Sequence, residues 1–234
     1  MMLSCALIRV MALASKGSRK WLQIAINRKR DVLLEAMRLS GAVAATGSVQ
    51  WTSPVEREGF KEYCDSAALD RAGIKGLKGS LSEFWPARGP VWDALGITSD
   101  SHSLFVEAKA HISEAVSPPS MASSDHSKNL IAASLEKARR FYAPRSAAAW
   151  GPVFYQYANR LAHHYFLTKL NDIPSTLVFL YFVNATDMQG PASELEWQGA
   201  IRLIHCVLGL PENLQRHRVF DVFVDVKLLR DSLE

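Results

Sequence analysis

From Ser18 onward, Trp21, Leu22, Ile24, Ala25, Val32, Leu33, Ala36, Met37 and Leu39 recur at helical spacing, broken by a basic stretch at 27–30. Apolar residues at that spacing make one buried helix face, which predicts one long or two short helices ending at Gly41. Between Trp51 and Ala72 the pattern is mixed. Phe60, Tyr63, Ala67 and Leu69 suggest only a short helix that stops at Gly73. Gly73, Gly76, Gly79, Pro86, Gly89 and Pro90 make the next stretch irregular. Two strand-like runs follow, 91–97 and 104–112, joined by a polar turn through Ser99 and His102. Residues 113–128, with Pro118-Pro119 and many serines, read as a loop, and 129–142 as a helix capped by Asp125 or Ser127.

Pro152 opens the clearest helical pattern, over 152–170. Val153, Phe154, Tyr157, Ala158, Leu161 and Tyr165 form its apolar stripe, leaving Gln156, Asn159, Arg160 and His163 outside it. Beyond Pro174, residues 177–183 are continuously apolar, aromatic and β-branched, as in a parallel strand buried on both faces. A helix over 193–208, stopped by Gly209 and Pro211, and a strand over 219–226 complete the order. No internal repeat interrupts it. The class is α/β with a mixed central sheet flanked by helices.

The 234 residues suit one domain, 1–234, with an apolar leader over 1–18, helices over 19–72, and the sheet core with its flanking helices over 73–234. A hydrophobic fraction of 48% supports a sizeable core and excludes bulk disorder. The net charge of +4 is compatible with a polyanionic partner without demanding one. Cys5, Cys64 and Cys206 are odd in number and widely spaced, which fits neither a disulfide framework nor a zinc cluster. No apolar run has the length of a membrane span, and the start lacks a basic n-region and carries Arg9 in its middle. A reducing, cytoplasmic setting without membrane contact follows, with Met1 or Met11 as the start.

The run from Leu104 to Ile112 carries the chemistry. Side chains alternate along a strand, so Glu107, Lys109 and His111 share one face and Val106, Ala108, Ala110 and Ile112 the other. A hairpin with the preceding run would bring Asp93 close to Glu107. Two carboxylates and a lysine at a strand pair suit Mg²⁺, a hard cation that takes oxygen ligands and keeps several waters. With such a metal polarising a phosphoryl oxygen, the lysine would orient the attacking water or neutralise developing charge. The carbonyl of Ala108 is a further candidate ligand.

Asp93, followed fourteen positions later by Glu107-Ala108-Lys109, resembles the D…(D/E)-x-K signature of the PD-(D/E)XK nuclease superfamily. Pro90 stands three residues before Asp93 rather than directly before it, a departure at a position that varies in the superfamily. The resemblance implies a restriction-endonuclease-like core of helix, three antiparallel strands, helix and strand. Here that core would run from about residue 20 to about residue 183, with 152–170 as the crossover helix and 177–183 as its last strand. It implies a metal-dependent nuclease acting above all on DNA. Asp93 and Glu107 would hold Mg²⁺, with Mn²⁺ as a substitute, and Lys109 would assist the water. An additional acid from the N-terminal helices is common in the superfamily, and both Glu35 and Glu62 qualify. Some lineages carry a substrate-contacting glutamine on the crossover helix, where Gln156 and Arg160 lie one turn apart. A double-strand cut with one site per chain would call for a homodimer.

Plainer readings stand beside these. Glu107 and Lys109 would also suit a solvated sheet face. His111 reads as a rim residue, and His163-His164, adjacent on a helix, diverge to surface and interior. Arg28-Lys29-Arg30 reads as a solvated helix face before a phosphate contact. Trp85 to Gly89 either frames the cleft, with Arg88 near a phosphate, or is a turn held by a buried Trp. The alternative to a nuclease is a non-catalytic nucleic-acid- or protein-binding member of the same fold. A Schiff-base role for Lys109 in a (β/α)₈ barrel lacks the regular strand–helix units that barrel needs.

Overall fold

The computed structural model describes residues 13–230. Residues 1–12, which hold Cys5, both candidate start residues and most of the apolar leader, lie outside the described residues. From Leu13 the chain packs against the core, and Gly17 opens the first helix.

Helices α1 (Gly17–Asn27) and α2 (Arg30–Leu39) are the two short helices of the first pattern, separated at the basic break. Strand β1 (Val49–Ser53) falls in a stretch with no legible alternation. Trp51 and Ser53 are nonetheless buried against the sheet. The short helices α3 (Asp65–Arg71) and α4 (Leu81–Phe84) precede the hairpin β2 (Ala94–Thr98) and β3 (Ser103–Lys109). Then follow α5 (Asp125–Tyr142), α6 (Tyr155–Tyr165), β4 (Ser175–Val183), α7 (Glu194–Leu208), β5 (Val219–Asp225) and α8 (Lys227–Arg230).

The five strands form one mixed sheet in the order β1-β2-β3-β4-β5. β1–β2 and β2–β3 are antiparallel, whereas β3–β4 and β4–β5 are parallel. All nine residues of β4 are buried, as its unbroken apolar run predicts for a central parallel strand. Alternation divides the core in two. Phe105, Leu177, Phe179 and Tyr181 pack with α5, α6 and α7 on one face. Leu104, Val106, Ala108, Val178 and Leu180 pack with α1 and α2 on the other. Among the described residues no helix is long and apolar enough to cross a membrane.

Several boundaries differ from the pattern. β2 begins at Ala94 rather than Val91, because Trp92 pairs instead with Tyr63 in an isolated bridge. β3 stops at Lys109. The Ala110 amide donates to Glu114 Oε2 at 2.6 Å, and a 3₁₀ turn over Ile112–Glu114 leaves Ile112 45% exposed. The face assignment of Val106, Ala108 and Ala110 holds, but Ile112 lies outside the strand. α5 begins four residues early, capped by Ser124, whose Oγ accepts from the Ser127 amide at 3.1 Å. α6 begins only after Phe154, whose φ of +54° is incompatible with the helix, and it runs on into a π turn over Phe166–Leu170.

Candidate active site

Asp93 lies one residue before β2, where the pairing of Ala94 with Val106 sets it against β3. Its Oδ2 accepts the Ala108 N–H at 2.7 Å. That amide fixes the carboxylate beside Glu107. Burial first, and then the charge of Glu107, push Asp93 up to about 8, against the opposing pull of Lys109 and the Ala108 amide. The sequence therefore brings its two candidate metal ligands together.

Glu107 is only 1% exposed, which excludes the solvated-ladder reading. A buried carboxylate must be paired. Its Oε1 takes Lys109 Nζ at 2.5 Å, and its Oε2 takes Arg160 Nε at 2.6 Å and Nη2 at 2.5 Å. Burial by itself would raise its pKa, but Arg160 and then Lys109 bring it below the usual carboxylate range. Lys109 Nζ also donates to Gln156 Oε1 at 2.7 Å, so the glutamine of α6 reaches the cluster.

Arg160 is the residue the helical pattern misplaced. It is 3% exposed, and Asn159 and His163 are buried as well, rather than outside the apolar stripe. The inner face of α6 is polar where it meets polar partners. Arg160 donates to Asn159 Oδ1 at 2.8 Å and to the Val91 carbonyl at 2.9 Å, and its guanidinium stacks 4.9 Å from the Trp92 ring. The visible signal was its position one turn after Gln156, four residues along the same helix.

The remaining candidates separate. Glu62 lies close enough to Asp93 to raise its pKa further, and it accepts from Arg19 Nε at 2.9 Å and Nη2 at 3.1 Å. It sits between a 3₁₀ turn over Glu56–Glu58 and α3, not in an N-terminal helix. Glu35 is exposed on α2, 4.0 Å from Arg38, on the helix that packs against β5. His111 turns to Ser113 at 2.9 Å, outside the cluster. His163 and His164 are both interior, and burial lowers them to about 3 and about 4. Tyr142 and the Ser175 carbonyl hold His164, while His163 packs 4.6 Å from Trp85. Trp85 is thus the buried anchor of its turn, and the Arg88 amide is fixed by Asp65 at 3.0 Å.

Among the described residues no group of three or more His, Cys, Asp or Glu is set to hold a metal ion. Asp93 and Glu107 are the two carboxylates brought together here. That pair fits a hard divalent cation, which needs only one or two carboxylates when waters and phosphate oxygens complete its shell. Of the two, burial holds the pKa of Asp93 up, whereas Arg160 and Lys109 hold that of Glu107 down.

This has a consequence for the metal-free protein. A folded-state pKa raised above the unfolded value favours the protonated fold, so stability is lost as pH rises through the window between 3.8 and about 8. In chelator, the urea midpoint of the wild type is expected to fall relative to Asp93→Asn across that window. Parallel curves for the two proteins would refute the assignment.

A scan against models of protein families, a search of curated proteins and a search of solved structures each returned no match for this chain.

Proposed function

We propose that Asp93, Glu107 and Lys109 form the active site of a divalent-metal-dependent nuclease that hydrolyses phosphodiester bonds, above all in DNA. The observation that carries this reading is the convergence of the acid–acid–lysine set at the β2–β3 hairpin, Asp93 just before β2 and Glu107 and Lys109 on β3, with both carboxylates beside one another. The element order supports it. Helix, three-strand antiparallel meander, helices and a parallel strand is the order of the restriction-endonuclease-like core that the D…ExK resemblance implies.

Asp93 and Glu107 would hold Mg²⁺ or Mn²⁺, which when bound would supply Lewis-acid chemistry for a phosphoryl oxygen and a water of lowered pKa. The Ala108 amide holds Oδ2 of Asp93 in place. Arg160 keeps Oε2 of Glu107, so the carboxylate is held from behind while its Oε1 faces Lys109. Lys109, braced by Gln156, supplies the charge that meets the phosphate as it becomes more negative.

Supercoiled plasmid incubated with Mg²⁺ or Mn²⁺ tests the reading. The wild type is expected to nick it in a metal-dependent way, and Asp93→Ala to lose both nicking and calorimetric metal binding. A wild type that neither binds the cation nor nicks would sink the proposal. A double-strand cut would in addition call for two chains acting together.

One observation favours a second reading. Both oxygens of Glu107 already have cationic partners, which would suit a non-catalytic nucleic-acid- or protein-binding member of the same fold. DNA affinity unaffected by chelator, without any cleavage, would select it.

A further inference from the structure

Among the described residues β5 is a terminal strand of the sheet and is hydrogen-bonded to β4 alone. A terminal strand presents a row of N–H and C=O groups that its own sheet does not satisfy, a ready template for one more strand. Along β5 runs a groove of about 860 Å³, walled by α2 and by Glu194 at the start of α7. Its charge is one-sided. Asp31, Glu35, Glu194, Asp221 and Asp225 line it against a single base, Arg38. Arg38 donates to the Gly47 carbonyl at 2.6 and 3.1 Å and stands 4.0 Å from Glu35. In a chain of formal charge +4 this is a local reversal of sign.

One of the lining acids, Asp221, carries a buried polar atom. Among the described residues nothing donates to Oδ1 of Asp221, which is buried. Burial pushes this carboxyl up to about 7, against the opposing effect of a hydrogen bond with Tyr181. Apolar surface completes the groove. Leu39 is 81% exposed and Leu228 57%, with Phe223 between the acids along the strand.

We propose that the β5 edge docks an extended segment of a partner protein in which basic residues alternate with apolar ones, added to the sheet as a further strand. Strand addition draws affinity from main-chain hydrogen bonds and specificity from alternate side chains, and a basic residue opposite Asp221 would complete its pairing. A second copy fits poorly. Two-fold pairing of β5 with itself would set the Asp221 and Asp225 carboxylates of two chains against each other. A nucleic-acid strand meets the same acidic wall. The inference does not depend on the nuclease reading, since Asp221 lies two strands from Glu107 in the same row, through Phe179.

The probe is a short fluorescent peptide alternating arginine and valine, titrated into the full chain by anisotropy, with amide exchange mapping the contact. Saturable binding is expected, with new protection in β5. Substituting the two exposed acids of α2, Asp31→Lys with Glu35→Lys, is expected to weaken binding by about tenfold or more. Circular dichroism checks that this variant folds. A peptide with glutamate in place of arginine is expected not to bind. No binding of the arginine peptide, equal binding by the variant, or protection away from β5 would overturn the proposal. So would a dimer in sedimentation whose formation protects β5, since a second copy would then be the occupant.

Discussion

Lys109→Ala is expected to lower metal-dependent cleavage by about a hundredfold or more, the scale on which a single preorganised charge at a reacting centre acts. The side chain is well placed for that role and poorly placed for a purely structural one. Its Nζ bridges Glu107 and Gln156, at 2.5 and 2.7 Å, but Glu107 keeps its pairing with Arg160 when the lysine is gone. The fold should therefore survive the substitution with a modest change in urea midpoint. Metal binding separates this variant from Asp93→Ala: calorimetry should show the cation retained in the lysine variant and lost in the aspartate variant. Single-turnover nicking by Lys109→Ala at the wild-type rate would remove Lys109 from the chemistry.

The parts of this protein that a linear pattern can show are those set by one residue and its near neighbours. Central β4 was legible because burial on both faces leaves an unbroken apolar run, and α7 because Ser193 and Gly209 bracket it as caps. The pair Glu107 and Lys109 was legible from strand alternation, with Asp93 brought in by a short hairpin. β1 was not, since its inward residues are a tryptophan and a serine whose Oγ donates to the Lys61 carbonyl at 2.7 Å. The end of β3 was not, because a side chain four residues on, Glu114, takes the amide of Ala110. The largest miss lay on α6. Amphipathic reasoning assigns Asn159, Arg160 and His163 to solvent, yet polar residues belong inside when a buried carboxylate and free carbonyls await them. Glu62 likewise reaches Asp93 from a loop whose path no periodicity describes.

Arg160→Ala is expected to be the most destabilising single change in the cluster, at about 3–5 kcal/mol, because it leaves a buried carboxylate with much of its compensating charge removed. Four losses coincide: the pair with Glu107, the bonds to the Val91 carbonyl and to Asn159 Oδ1, and the contact over Trp92. Arg160→Lys should recover little. One ammonium cannot reproduce the planar fork that meets Glu107 on one side and the Val91 carbonyl on the other. Adding Glu107→Gln to Arg160→Ala should restore part of the loss, because the uncompensated charge is then gone, so the two changes should be strongly non-additive in urea unfolding. Cleavage behaves differently. The double variant should fold better than Arg160→Ala and remain inactive, since Glu107 is a proposed metal ligand. An Arg160→Ala protein as stable as the wild type, or additive single effects, would mean that Glu107 is held by Lys109 and its surroundings, and that Arg160 merely fills space on α6.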